Sequence, residues 1–107
     1  MVITPEDNHS PGAAVKNAFD YLHAEWRDKA IGFVSYGSAG GVRAVEQLRL
    51  IAAELGLASV SAQVALPIST DFPQYPRFTP TGGRETELHR VLDQVESWSE
   101  ALGKVRA

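Results

Sequence analysis

Apolar residues along this chain follow two alternating patterns, one typical of amphipathic helices and one typical of buried strands. Apolar residues three or four positions apart predict a helix from about Pro11 to Trp26, a second from Val42 to Leu55 and a third around Leu88–Leu102. The shared faces are Val15, Phe19, Leu22 and Trp26; Val42, Val45, Leu48, Ala52 and Leu55; and Leu88, Val91, Leu92, Val95, Trp98 and Leu102.

Short apolar runs between these helices predict strands. The runs are Met1–Thr4, Ala30–Ser35 and Ala58–Leu66; Ala30–Ser35 shows no polar alternation, which is typical of a strand that is covered on both faces. The order β-α-β-α-β-loop-α implies right-handed crossovers and a parallel sheet with helices on its faces. The segment Pro67–Gly83 is rich in proline and is predicted to be a long irregular loop, the kind that is often functional or mobile.

Helix boundaries follow from the residues that flank the apolar patterns. Ser10 followed by Pro11 predicts the start of the first helix, with the serine hydroxyl as its N-cap. On this basis Ser10→Ala would lower stability by about 1 kcal/mol. Gly56 is placed to end the second helix in a left-handed conformation.

Composition narrows the class of protein. The chain has 107 residues and a net charge of −3, which argues against a nucleic-acid partner. It has no cysteine, so disulfides, cysteine-ligated zinc and thiol catalysis are excluded. The sequence contains neither an apolar run long enough to span a membrane nor a signal-peptide pattern. We therefore expect one domain over residues 1–107, without a membrane partner and located in the cytoplasm.

Two loops predicted at the carboxyl ends of neighbouring strands have the composition of ligand-binding loops. Pro5–Ser10 is short, polar and followed by a helix, whereas Tyr36–Gly41 is rich in glycine, which lets a backbone approach a ligand closely. Each loop alone is weak evidence, because a glycine cluster before a helix is more often only a tight turn. Because ligands bind at the carboxyl ends of the strands in open parallel sheets, the two loops together predict a binding site.

Other kinds of site have less support. His9, His23 and His89 lack the spacing of a helical metal-binding pair, so we expect no metal site. Ser35 and Ser38 could suggest a hydrolase together with His9, but no Gly-x-Ser-x-Gly motif is present.

Four charged residues near the loops are expected to have no catalytic role. Glu6 and Asp7 are neighbours in an extended loop, where adjacent side chains point apart, so they do not form an acid–base pair. Arg43 and Arg49 are predicted to lie on a solvated face of the second helix.

The two loops and their flanking residues resemble the NADPH-dependent FMN reductase family. From Thr4 the chain reads Thr-Pro-Glu-Asp-Asn-His-Ser-Pro-Gly-Ala, and from Lys16 it reads Lys-Asn-Ala-Phe-Asp. From Ser35 it reads Ser-Tyr-Gly-Ser-Ala-Gly-Gly, followed by Arg-Ala and Gln-Leu-Arg. The resemblance extends from Met1 to about Pro67 and implies an α/β, flavodoxin-like, three-layer fold with a parallel sheet.

The resemblance also implies a function and a set of binding residues. Family members pass a hydride from NADPH or NADH through FMN to a small-molecule acceptor such as free flavin, a quinone or an azo dye. By this likeness one side of the flavin ring would contact the first loop and its other edge the second. The residues concerned are Pro5, Glu6, Asn8, His9 and Ser10 in the first loop, and Tyr36, Gly37 and Ser38 in the second. No residue is assigned a catalytic role or a metal.

The chain departs from the family pattern in two ways. Asp7 stands where the family has a tyrosine beside the flavin. The sequence also begins within the family's third strand, so the resemblance implies an N-terminally truncated fold of about three strands. The Gly-Ser-x-Arg loop that binds the FMN phosphate in the family is then missing. A non-catalytic flavodoxin-like remnant that forms oligomers or binds a partner is therefore the alternative to an enzyme.

The resemblance also predicts a homodimer. In a flavodoxin-like sheet the first strand lies beside the strand that ends here at Ile3. Without it, the Met1–Ile3 edge is unpaired and the last helix loses half of the surface on which it packs. A second copy would cover both helices, by exchanging them or by pairing the free edges. A monomer with the last helix moved onto the remaining strands is the alternative.

Overall fold

The computed structural model describes all 107 residues and contains three strands and four α-helices. In chain order these are β1 (Val2–Pro5), α1 (Ala13–Tyr21), β2 (Lys29–Gly37), α2 (Val42–Glu54), β3 (Leu57–Pro67), α3 (Ile68–Asp71) and α4 (Arg84–Arg106). A single turn of 3-10 helix, Ala24–Trp26, lies between α1 and β2.

The three strands form one parallel sheet in the order β1-β2-β3, which confirms the predicted α/β class. The central strand β2 pairs along its carboxyl half with both neighbours: Tyr36 lies opposite Pro5 on one side and Leu66 on the other. All three strands therefore end at one edge of the sheet, the carboxyl edge.

Successive side chains of β2 point to opposite faces of the sheet, so the hydrophobic core has one part on each face. Ile31 and Phe33 are buried with Phe19 of α1 and with α2. Gly32, on the other face, makes room for α4: a Cβ on it would lie 2.7 Å from a methyl carbon of Val91. Because of this close approach α4 packs on β2 and β3, with Val91 completely buried.

The first helix is shorter than predicted. It ends at Tyr21 because Leu22 is extended, and the chain then makes the separate turn Ala24–Trp26. Trp26 nevertheless lies on Phe19, with ring centroids 5.2 Å apart, and its indole N–H donates to the Phe19 carbonyl. The apolar pattern thus identified a real contact but not a continuous helix.

The predicted N-cap at Ser10 is wrong. Gly12 precedes α1, no side chain caps that helix, and the backbone of Ser10 instead pairs with Asp7. The predicted end of the second helix is confirmed, since Gly56 follows α2 with φ +71°.

An apolar groove runs along the α4 face of the sheet beside the free edge of β1. Its volume is about 860 Å³, and the side chain of Ile3 at its border is 69% exposed. The groove is lined mainly by Met1, Ile3, Val34, Tyr36, Leu66, Phe72, Tyr75, Phe78, Leu88 and Leu92. None of the helices has the length and apolar character that spanning a membrane requires.

Candidate functional site

The two candidate loops lie side by side at the carboxyl edge of the sheet, as predicted. We call Glu6–Gly12 loop 1 and Ser38–Gly41 loop 2; they follow the paired strands β1 and β2. The N–H of Glu6 donates to the carbonyl of Tyr36 over 3.1 Å, which extends the β1–β2 pairing into loop 1.

Loop 1 is folded around a two-residue turn. Asp7 and Ser10 exchange backbone hydrogen bonds of 2.8 and 3.0 Å, and Asn8 and His9 between them have φ values of 49° and 66°. Two successive left-handed residues define a turn in which asparagine is common at the first position and glycine at the second. The turn projects Asn8 and His9 into solvent.

Loop 2 is held by a buried serine. Ser35 is completely buried at the end of β2, and its hydroxyl donates to the Gly40 carbonyl over 2.7 Å. Gly41 has φ +75°, and a Cβ on it would lie 2.6 Å from the Cβ of Ser35. Ser35 therefore shapes the loop and is not accessible as a nucleophile.

The carboxylate of Glu6 crosses from loop 1 to the first turn of α2. One oxygen accepts from the backbone N–H groups of Arg43 and Ala44, at 3.0 and 3.2 Å, and the other accepts from Arg43 Nε at 2.5 Å. The side chain is only 5% exposed. Burial by itself raises the pKa of Glu6, but the hydrogen bonds from Arg43 and Ala44 outweigh it and hold that pKa below its ordinary value.

Arg43 is exposed to solvent over 40% of its side chain, as predicted, but it also has two partners that we did not predict. Its guanidinium pairs with Glu6, and its Nη1 atom lies 2.8 Å from His9 Nε2. The sequence separation is 37 residues for Glu6 and 34 for His9, so no local pattern reveals these contacts. One indirect clue exists: the first turn of α2 has no acidic residue, so its N–H groups need an acceptor from elsewhere.

Arg49 was also predicted to be solvated, and this is wrong. Its guanidinium donates to the Val60 carbonyl at 2.7 Å and to the Gln63 side chain at 2.9 Å, and it lies over the ring of Phe33, 5.5 Å from the centroid. These contacts tie α2 to β3 away from both loops, so the role of Arg49 is structural.

A second buried acid, Asp71, was not identified from the sequence. Its carboxylate accepts two hydrogen bonds from Arg84, at 3.0 and 2.8 Å, and others from Thr70 and Thr81. Led by Arg84, these hydrogen bonds outweigh burial and place the pKa of Asp71 far below its ordinary value, while the same pair raises the pKa of Arg84. The pair fastens both ends of the loop between α3 and α4.

That loop carries an aromatic cluster at the carboxyl edge. Phe72 lies 6.1 Å from Tyr36 and 5.2 Å from Phe78, measured between ring centroids, and Tyr75 lies on its other side at 6.5 Å. Tyr36 therefore joins the end of β2, beside loop 2, to one end of the apolar groove.

The structure brings the predicted binding residues together, with one side chain turned inward. Asn8, His9 and Ser38 are exposed, Pro5, Ser10, Tyr36 and Gly37 are half-buried, and the Glu6 carboxylate points to α2. His23 and His89 are exposed on other elements, and no group of three or more acidic, histidine or cysteine side chains is close enough to hold a metal ion.

Both loops have backbone N–H groups that are free to donate to a ligand with hydrogen-bond acceptors along its edge. The backbone N–H groups of Asn8, His9, Ser38 and Ala39 have no acceptor within the chain, although each lies in an exposed turn. The Asp7 carboxylate does not project between the loops: one of its oxygens lies 3.1 Å from the position of a Cβ on Gly12, at the start of α1. The flavin ring, with its carbonyl oxygens and ring nitrogens, is a ligand of this kind.

Comparison with known proteins agrees with this geometry. The profile of the family described as NADPH-dependent FMN reductase matches residues 1–71, which include both loops. An NAD(P)H-dependent FMN reductase of Schizosaccharomyces pombe is 36% identical over 71 residues, which cover 66% of this chain and 36% of that protein. A second such reductase, from Saccharomyces cerevisiae, is 36% identical over 71 residues, which cover 65% of this chain and 37% of that protein. A third, from Nectria sp, is 46% identical over 48 residues, which cover 45% of this chain and 24% of that protein.

The chain spans little more than a third of the length of the two Schizosaccharomyces and Saccharomyces relatives and 24% of that of the Nectria protein. The matched part contains the whole sheet, α1, α2 and both candidate loops, and it stops before α4. On the strength of that match, the chain belongs to the NADPH-dependent FMN reductase family.

Proposed function

We propose that this chain binds FMN between loops 1 and 2 and takes part in flavin-mediated hydride transfer from NAD(P)H to a small-molecule acceptor, such as free flavin or a quinone. The observation that carries the proposal is the pair of adjacent loops with free N–H groups at the carboxyl edge of a parallel sheet. The three relatives described above support it, since each is an NAD(P)H-dependent FMN reductase.

Bound flavin would supply the redox chemistry, and the chain's residues would bind and orient it. Asn8, His9 and Ser38 would donate backbone N–H groups to the ring, as preorganised donors do where negative charge develops. Pro5 and Ser10 would lie along one side of the ring, and Tyr36 and Gly37 along the other. Glu6 would take part through its backbone.

Binding and turnover are tested directly with the purified chain. We expect it to quench the fluorescence of added FMN and to oxidise NADPH when FMN and an acceptor are present. Gly37→Val should weaken FMN binding about tenfold, equivalent to about 1.4 kcal/mol. A Cβ at Gly37 would lie 3.3 Å from the Cβ of Glu6 and 3.4 Å from the Gly41 nitrogen, so the valine would force the two loops apart.

Gly82→Val is the matched control for this experiment. Gly82 lies in the loop before α4 and has no atom within 4 Å of the position of a Cβ, so the same substitution there should leave FMN binding unchanged. Equal FMN affinity in both variants would remove the junction between β2 and loop 2 from the binding site. If the unchanged chain neither quenches FMN fluorescence nor oxidises NADPH, the proposed activity is contradicted.

A specific observation favours a second candidate, a non-catalytic module that binds a second copy of this chain. The free edge of β1 is continuous with the apolar groove, in which Ile3 is 69% and Met1 47% exposed. Such edges and patches recruit other chains. A homodimer is compatible with the enzyme as well, so oligomerisation without FMN binding is the result that would favour this candidate. A single unit over residues 1–107 and a cytoplasmic location remain predictions.

A further inference from the structure

Three side chains from the two loop regions meet at one point. Arg43, in the first turn of α2, contacts Glu6 with Nε and Nη2 and His9 with Nη1. We propose that these three residues form a latch that fixes the Asn8–His9 turn beside loop 2, and that Arg43 is thereby a positioning residue for the flavin site. The contacts of the latch are present in the structure, whereas its effect on FMN binding rests on the proposed function.

The geometry of Arg43 fixes the state of its two partners. A guanidinium only donates hydrogen bonds, so His9 Nε2 must be the acceptor of the 2.8 Å contact. His9 in the latch is therefore a neutral imidazole with its proton on Nδ1. Glu6 accepts from the helix N–H groups and from Arg43 at once, which keeps the carboxylate on α2 and out of the space between the loops.

The backbone of the turn supplies an independent observation. His9 has φ +66°, in the left-handed region that favours glycine and is uncommon for other residues, although asparagine and histidine adopt it more often than most. Strain of this kind persists only where surrounding contacts hold it. The backbone hydrogen bonds between Asp7 and Ser10 close the turn, and the contact with Arg43 is the side-chain interaction that His9 adds to them.

Lysine cannot replace arginine in the latch. The planar guanidinium presents separate N–H groups to Glu6 and to His9, whereas a lysine ammonium is a single point charge at the end of a flexible stem. Arg43→Lys therefore keeps the charge near Glu6 and breaks the link to His9. Arg49→Lys is the matched control: it makes the same change in the same helix, at a residue that contacts β3 and neither loop.

The first measurement needs no flavin. Nitrogen-15 NMR of the imidazole side chains in the full chain distinguishes a protonated Nδ1 from a protonated Nε2, and His9→Gln identifies the His9 signals. We expect an unprotonated Nε2 at His9 in the unchanged chain and in Arg49→Lys, and a mixture of the two tautomers in Arg43→Lys. The same His9 signals in Arg43→Lys and in the unchanged chain would overturn the latch.

The second measurement connects the latch to the flavin. By fluorescence quenching, Arg43→Lys should bind FMN about tenfold more weakly than the unchanged chain, the effect of losing one charge-assisted hydrogen bond. Arg49→Lys should bind FMN with unchanged affinity even if it melts at a lower temperature. Equal affinity in Arg43→Lys would overturn the positioning role. Failure of the unchanged chain to bind FMN would overturn the proposed function, while the imidazole spectra would still decide the latch.

Discussion

At the residue scale, the two buried carboxylates have the same kind of partner: each pairs with an arginine at the start of a helix. Glu6 follows β1 and meets Arg43 in the first turn of α2; Asp71 follows β3 and meets Arg84 at the start of α4. Burying a charge is costly unless it is paired and hydrogen-bonded. In this chain no buried polar side-chain atom lacks a partner. The Glu6 pair joins the end of β1 to the beginning of α2, and the Asp71 pair joins the end of α3 to the beginning of α4.

The pairing of Asp71 predicts how stability depends on pH. The pKa of Asp71 in the fold is below its ordinary value of 3.8, so the ionised form stabilises the fold fully at pH values above 3.8. This contribution begins to fall as the pH drops below 3.8 and disappears only as the pH passes the much lower pKa that Asp71 has in the fold. Asp71→Asn should therefore lower the free energy of unfolding by about 3 kcal/mol near neutral pH and by clearly less near pH 2.

Urea denaturation at both pH values measures this difference. Asp93→Asn is the control, because Asp93 is an exposed residue of α4 and forms no ion pair. A difference between Asp71→Asn and the unchanged chain that is the same at both pH values would show that the pair does not titrate with folding.

Contacts between individual residues were the feature least predictable from the sequence. The sequence indicated which loops approach each other, because parallel strands end at one edge. It did not indicate that Glu6 turns away from the loops, nor that Arg43 and Arg49 are bound, because their partners lie between 11 and 37 residues away along the chain. Periodicity places a residue on a helix face but does not identify what packs against that face.

At the element scale, the strands, α2 and α4 were predicted to within a few residues, whereas α1 was not. The pattern of α1 continued through Leu22 to Trp26, and both the helix and the turn that follows it place apolar side chains on the same part of the core. Those side chains pack on the core as the pattern predicted, but the backbone that carries them is a short helix followed by a separate turn and not one continuous helix. The predicted cap at Ser10 failed for a related reason, since the turn of loop 1 uses the Ser10 backbone.

The junction between loop 2 and α2 gives a prediction at this scale. Gly41→Ala combines an unfavourable φ of +75° with a Cβ 2.6 Å from that of Ser35. Gly83→Ala, before α4, has a φ of +91° but open space around the new Cβ, so it measures the backbone effect alone. We expect Gly83→Ala to lower the free energy of unfolding by about 1 kcal/mol and Gly41→Ala by at least about 2 kcal/mol.

Urea denaturation of the two variants and the unchanged chain measures both effects. Equal losses in Gly41→Ala and Gly83→Ala would mean that loop 2 adjusts without strain, and that its close packing on Ser35 does not determine its shape.

At the scale of the whole molecule, the sheet is closed on one face and open on part of the other. The face toward α1 and α2 is covered, whereas α4 covers β2 and β3 and leaves the groove beside β1. The sequence predicted a parallel sheet and a free first edge. It left open whether α4 would remain on the sheet, and the structure places α4 there.

Self-association is the prediction at this scale. Ile3→Lys places a charge on the free edge of β1, a change that blocks edge pairing. We expect the unchanged chain to sediment as a dimer at micromolar concentration and Ile3→Lys to sediment as a monomer. Leu50→Lys is the matched control, because Leu50 is 68% exposed on α2, away from the groove, and Ile3 is 69% exposed. A single species near 11.6 kDa for the unchanged chain would contradict the dimer.

The contact between Glu6 and Arg43 has an evolutionary consequence. The two positions lie 37 residues apart, yet what is tolerated at one depends on the other. Loss of Arg43 leaves a carboxylate whose side chain is only 5% exposed without its counter-charge, whereas loss of Glu6 leaves an arginine side chain that is 40% exposed and can be solvated by water. We therefore expect the order of substitution not to be symmetrical: in a lineage that abandons the pair, glutamate should be lost first and arginine should follow.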